Sequence, residues 1–162
     1  MAKQPVFKKV LQVGIVVHDL EKAVRTYADD FGIGPWQFYN LDKSNMHDMK
    51  MRGEKAEFSM KVAFTDLGGV QLELIEPLDE SIYSDFLREH GEGIHHIACG
   101  VRNFEETMAS MQKKDIKVLL EGTTSAGMGY VYLDTTDALS CITEIYRIPE
   151  NLQYIPPDKT YP

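Results

Sequence analysis

Four side chains suited to metal binding and proton transfer stand at matching places in an internal repeat: Gln12, Glu73, His96 and Glu144. Gln12–Ala23 and His96–Thr107, 84 positions apart, share one pattern of alternating small and apolar residues followed by Asx, a bulky apolar residue and Glu. The copies also close alike, with Leu72-Glu73-Leu74-Ile75-Glu76-Pro77 and Thr143-Glu144-Ile145-Tyr146-Arg147-Ile148-Pro149. Imidazole and carboxylate groups bind first-row divalent ions at about 2.0–2.2 Å, and an amide oxygen serves hard or borderline ions. One nitrogen with three oxygen donors suits a catalytic site that keeps positions open for water or substrate. Taken singly, each residue also fits a polar strand end or a solvent-facing strand position. Their matched placement favours one shared site where two half-domains meet.

The elements that must position them follow from periodicity. Residues 11–17 alternate and are rich in Val and Ile, which predicts a strand with Gln12, Gly14 and Val16 on one face. Asp19 caps a helix carrying Leu20, Ala23, Val24, Tyr27 and Phe31, which Gly32 stops. Strands are expected over 36–41, 57–66 and 70–76, the last with Gln71, Glu73 and Ile75 on one face. The second copy repeats the order: a strand with His96, Ala98 and Gly100, a helix capped by Asn103, then strands near 117–120, 129–133 and 141–147. Each copy reads β-α-β-β-β, an α+β class. The boundaries expected are an N-terminal extension 1–10, a single domain 11–149 (module one 11–77, linker 78–94, module two 95–149) and a tail 150–162 lying on the surface. The polar, Met-rich stretch 42–56 lacks periodicity and reads as a loop near the site. His95, next to His96, is expected on the opposite strand face, either in a structural role or supporting the candidate ligands from behind. His18, His47 and His90 fall at element ends or in loops.

The net charge of −8 over 162 residues argues against nucleic acid and gives no attraction to an anionic membrane. No stretch approaches the length of a membrane span and the N-terminus lacks a signal-like apolar run, so a cytoplasmic protein is expected. Cys99 and Cys141 have no metal-site spacing and read as free thiols. The aromatics after the Gly-Ile-Gly-Pro turn, Trp36 and Tyr39, are candidates for a substrate-pocket wall.

Val13-Gly14-Ile15-Val16-Val17 through Asp19-Leu20-Glu21 resembles the opening of the vicinal oxygen chelate superfamily. Leu72-Glu73-Leu74-Ile75-Glu76-Pro77-Leu78, Phe86-Leu87 and Gly91-Glu92-Gly93-Ile94-His95-His96-Ile97-Ala98 resemble its methylmalonyl-CoA epimerase branch. The resemblance implies two βαβββ modules forming a curved, half-open barrel around a central cleft. It implies one divalent ion (Co, Mn, Ni or Zn) at Gln12, Glu73, His96 and Glu144. The implied reaction is proton transfer α to a carbonyl, with Glu144 as base and Glu73 as ligand and partner. The implied substrate is a small molecule of the acyl-CoA class, and relatives suggest a homodimer. Lys8, Lys9, Lys50, Arg52 and Lys61 are the cations available to a CoA nucleotide. Two departures stand out. The epimerases usually carry His at the first ligand position, where this chain has Gln12; some glyoxalase I enzymes carry Gln there. Bacterial epimerases can also place an acidic base on the strand that here reads Val62-Ala63-Phe64, with Glu57 just upstream the only substitute. The alternatives are a glyoxalase I-like lyase (lactoylglutathione lyase type) and a metal-free small-molecule-binding protein of the same fold. A dioxygenase fits less well, because its iron site needs a His at the first position.

Overall fold

The computed structural model describes residues 5–162. The first module starts with β1 (Phe7–Val16), followed by α1 (Leu20–Arg25). Asp19 caps α1 by accepting a hydrogen bond from the Lys22 backbone N–H. The helix then loosens into a π-helical turn over Thr26–Asp30. That turn shifts the helical phase, so Phe31 is 72% exposed rather than in the core that its spacing suggested. Strands β2 (Trp36–Leu41), β5 (Met60–Leu67) and β6 (Val70–Pro77) complete the module, with β3 (Met46–Met51) and β4 (Glu54–Lys55) inserted between β2 and β5. After α2 (Ile82–His90) the second module runs β7 (Gly93–Val101), α3 (Phe104–Lys113), β8 (Val118–Thr124), β9 (Gly129–Leu133), the short α4 (Thr136–Leu139) and β10 (Ile142–Arg147). The chain ends in β11 (Lys159–Tyr161).

All strands join one open sheet in the order β11-β2-β5-β6-β1-β7-β10-β9-β8-β3-β4. The modules meet where β1 runs antiparallel to β7, and each first strand is flanked by the parallel last strand of its own copy. On one face, α1 covers a core containing Val17, Leu20, Val24, Trp36 and Leu74, and α3 covers Met111, Val131, Leu133 and Ile145. On the other face, Val16, Met46, Phe58, Val62, Ile75, Tyr83 and Leu120 pack together and close one end of the cleft, with Phe86 of α2 against them.

Two connections differ from the sequence reading. The stretch expected as a loop, 42–56, forms the β3–β4 hairpin, and β3 pairs with β8 of the other module. Its alternation was hidden because the β3–β8 register slips between His47 and Lys50, where Asp48 takes φ 52°. The tail expected to lie on the surface ends by adding β11 to the edge of β2. Cys99 and Cys141 are free and partly buried. Among the described residues, no helix is long and apolar enough to cross a membrane.

Candidate active site

Glu73, Gln12, His96 and Glu144 lie on four successive strands, β6, β1, β7 and β10. Gln12 sits across from Gln71, two residues before Glu73, and His96 sits across from Ile142, two residues before Glu144. The same offset on both sides of the β1–β7 seam converts the sequence repeat into a pseudo-twofold arrangement of donors. Gly14 lies across from both Glu73 and His96. A Cβ there would fall 1.9 Å from His96 Cε1, so the missing side chain is the space the imidazole fills.

The four side chains converge and are buried, His96 completely. His96 Nε2 is 3.3 Å from Glu73 Oε2, 3.2 Å from Glu144 Oε2 and 3.2 Å from Gln12 Oε1. The Gln12 Oε1 position is also 3.2 Å from the Oε2 atoms of both glutamates. Tyr146 Oη lies 2.9 Å from Glu144 Oε2 and 3.0 Å from Gln12 Oε1, and its single proton serves one of them at a time. An amide oxygen facing two carboxylates is repulsive unless a cation lies among them. With its NH2 turned inward, the amide would satisfy the carboxylates instead. The 2.6 Å hydrogen bond between the Gln12 and Gln71 amides fits either orientation, since the two amides can turn together; a cation among the carboxylates would set the oxygen inward. Donors about 2.0–2.2 Å from one ion stand about 3–3.5 Å from each other, which matches this set. Among the described residues, no group of three His, Cys, Asp or Glu side chains is arranged to hold an ion unaided. An amide oxygen from Gln12 would add a fourth donor beside Glu73, His96 and Glu144.

Burial opposes a charge on His96, but hydrogen bonds and charge from Glu144 and Glu73 overcome it and raise its pKa to about 9. Burial raises Glu73 above the usual carboxylate range, with His96 pulling the other way. His95 goes down to about 3, because it is buried and faces His96. Its position corrects the expectation from strand alternation. The β1–β7 register steps from Gly14–His96 to Ile15–Ile94, so His95 is the extra residue of a β-bulge. The bulge turns its Nδ1 to within 3.2 Å of His96 Nδ1, and the rings of Tyr83 and Phe86 pack against it at 5.0 and 5.2 Å.

Beside the donors opens a cleft of about 460 Å³. Tyr39 lines it, as expected. Trp36 does not: three residues away, on the other strand face, it is fully buried beneath α1 and donates to the Ile33 carbonyl. Glu57 is exposed and paired with Lys43, so it supplies no base. Lys50, Arg52 and Lys61 pair with Glu121, Asp85 and Glu76, and Lys8 and Lys9 are exposed on β1. His18, His47 and His90 are exposed, outside the cleft. Residues the sequence reading passed over are Gln71, which orients Gln12, and Tyr130, Tyr132 and Tyr146, which wall the cleft. Strand parity carried that signal: Tyr146 lies two residues from Glu144, and Tyr132 pairs with Glu144 across β9 and β10.

The family model described as Glyoxalase/Bleomycin resistance protein/Dioxygenase superfamily matches residues 11–132. The chain is 26% identical over 147 residues to mitochondrial methylmalonyl-CoA epimerase of Mus musculus, covering 87% of this chain and 75% of the relative. The crystal structure of methylmalonyl-CoA epimerase from Mycobacterium tuberculosis aligns with a TM-score of 0.67 at 21% identity, covering 93% and 95% of the two chains. Streptomyces coelicolor methylmalonyl-CoA epimerase in complex with 2-nitronate-propionyl-CoA aligns with a TM-score of 0.65 at 23% identity, covering 91% and 99%. Seam, paired modules and matched sequence agree: the chain belongs to the glyoxalase/bleomycin resistance protein/dioxygenase superfamily, with methylmalonyl-CoA epimerases among its relatives.

Proposed function

We propose that this protein catalyses proton transfer at the carbon α to a carbonyl, an isomerase activity of the epimerase kind assisted by a divalent ion. One observation carries the proposal: His96 Nε2 meets carboxylate oxygens from two repeat-related strands at 3.2 and 3.3 Å, with the Gln12 amide oxygen beside them. Gln12, Glu73, His96 and Glu144 would hold the ion, whose identity among Co, Mn, Ni and Zn the donor chemistry leaves open. When bound, it would supply charge stabilisation for a developing enolate.

The protein's own residues do the rest. Glu144, hydrogen-bonded by Tyr146 Oη, is the base that takes the α-proton. Glu73 approaches from the other side of the seam, placed to return a proton to the opposite face. Tyr146 and Gln71 keep Glu144 and Gln12 oriented. The buried position of these groups limits competing exchange with water. An acyl-CoA is the first substrate class to examine, since the aligned Streptomyces epimerase holds an acyl-CoA analogue.

The test is α-proton exchange into D₂O, followed by NMR across an acyl-CoA panel with the ion-loaded protein. Glu144→Gln should slow exchange about 10²-fold or more. Exchange at the wild-type rate in that variant would remove Glu144 from the role. The Gln12 amide favours a second reading, a glyoxalase I-like lyase, which turnover of methylglyoxal with a thiol would select.

A further inference from the structure

We infer that the part of a substrate held in the cleft, beyond the oxygens that meet the donor set, is uncharged and largely apolar, fitted by an aromatic ring or a branched aliphatic group. The inference rests on the proposed function for where those oxygens go, and adds what the remainder of the molecule must be.

The charges lining the cleft have one sign. Glu73, Glu144 and Asp158 face it, and among the described residues no lysine or arginine does. Nearby cations are engaged elsewhere: Lys43 with Glu57 at 3.1 Å, Lys50 with Glu121 at 3.1 Å, Lys61 with Glu76 at 3.5 Å and Arg52 with Asp85 at 3.3 Å. Some of the neutral donors are committed as well, while Gln37, Thr124 and Ser125 leave uncharged polar groups on the lining. Asn40 Nδ2 donates to Asp158 at 2.9 Å, Asn45 Nδ2 to the Asn40 carbonyl at 2.7 Å, and Tyr83 Oη to Tyr132 Oη at 2.8 Å. An anion placed here, away from the donor set, would lose its water and find no opposite charge.

Much of the remaining lining is apolar and adaptable. Met46, Met60, Phe64, Met128, Ile155 and Pro156 contribute to it, and the Tyr39 and Phe64 rings lie 5.6 Å apart at 59°. Thioether side chains fill irregular space and favour aromatic neighbours. Ile155 and Pro156 come from the C-terminal segment, held to the two lips of the cleft by the Gln153 N–H to the Ala126 carbonyl at 3.0 Å and the Asp158 N–H to the Phe38 carbonyl at 2.9 Å. A cleft of about 460 Å³ takes a small-molecule body. For an acyl thioester, this means an acyl chain carrying no carboxylate remote from the donor set.

Three matched hydroxamic acids test this, since they share one pair of vicinal oxygens. Benzohydroxamic acid, its 4-carboxy derivative and the methyl ester of that derivative are titrated calorimetrically into the full chain, with and without Co²⁺. The parent and the ester should bind, and the 4-carboxy acid at least tenfold more weakly. Gln37→Lys, which places a cation on the lining, should restore the 4-carboxy acid selectively. A carboxylate that binds as tightly as the ester overturns the inference, as does a deficit that Gln37→Lys leaves unchanged or a failure of all three to bind. Preference for the neutral bodies without dependence on Co²⁺ would support the inference while contradicting the ion-assisted function.

Discussion

The imidazole of His96 occupies the volume that a side chain at residue 14 would need. Gly14→Ala should therefore displace the ring, destabilising the fold by about 1–3 kcal/mol and weakening divalent-ion binding; denaturant unfolding with an ion titration measures both. His96 also carries a pH signature. Its pKa of about 9 lies above the ordinary 6.5. The stabilisation this gives is complete below the ordinary value and lost as pH rises through about 9. Glu73, also raised, acts in the same direction. The melting temperature of ion-free protein should thus fall between pH 6.5 and 9, and a bound ion, which displaces the His96 proton, should abolish that fall; thermal scans with and without chelator read it directly. The convergence of Gln12, Glu73, His96 and Glu144 was legible because the repeat marked them. Gln71 and His95 were harder: the first acts through a contact between residues 59 positions apart, and the second depends on a bulge that breaks strand alternation. Trp36 was misjudged because its strand face was not assigned before its role.

At the scale of elements, the strands of both modules followed from period-two alternation, and the first helix of each module from its Asx cap. The π turn and the hairpin did not, because each replaces regular spacing with a local shift in phase or register. The linker helix α2 deserves its own test. Ser81 and Ser84 form a reciprocal cap at its start, and its Tyr83 and Phe86 pack on His95. Ser81→Ala should cost about 1 kcal/mol. It should also loosen the packing behind His96, seen as reduced amide protection over 82–90 in hydrogen exchange. Unchanged stability and protection would show that tertiary packing alone holds the helix.

The whole molecule exchanges strands across its open side: a hairpin from module one extends the edge of module two, and the chain's end extends the edge of module one. Such long-range pairings leave little trace in local sequence, whereas the pairing of β1 with β7 could be anticipated from the repeat. That seam matters most, because each module contributes two of the four converging side chains and neither brings them together alone. Titration of the purified chain with Co²⁺, monitored by its visible absorption, tests this account most directly. It predicts saturation at one ion per chain, with affinity reduced about 100-fold or more in His96→Ala; no saturable binding, or binding undiminished in that variant, would contradict it.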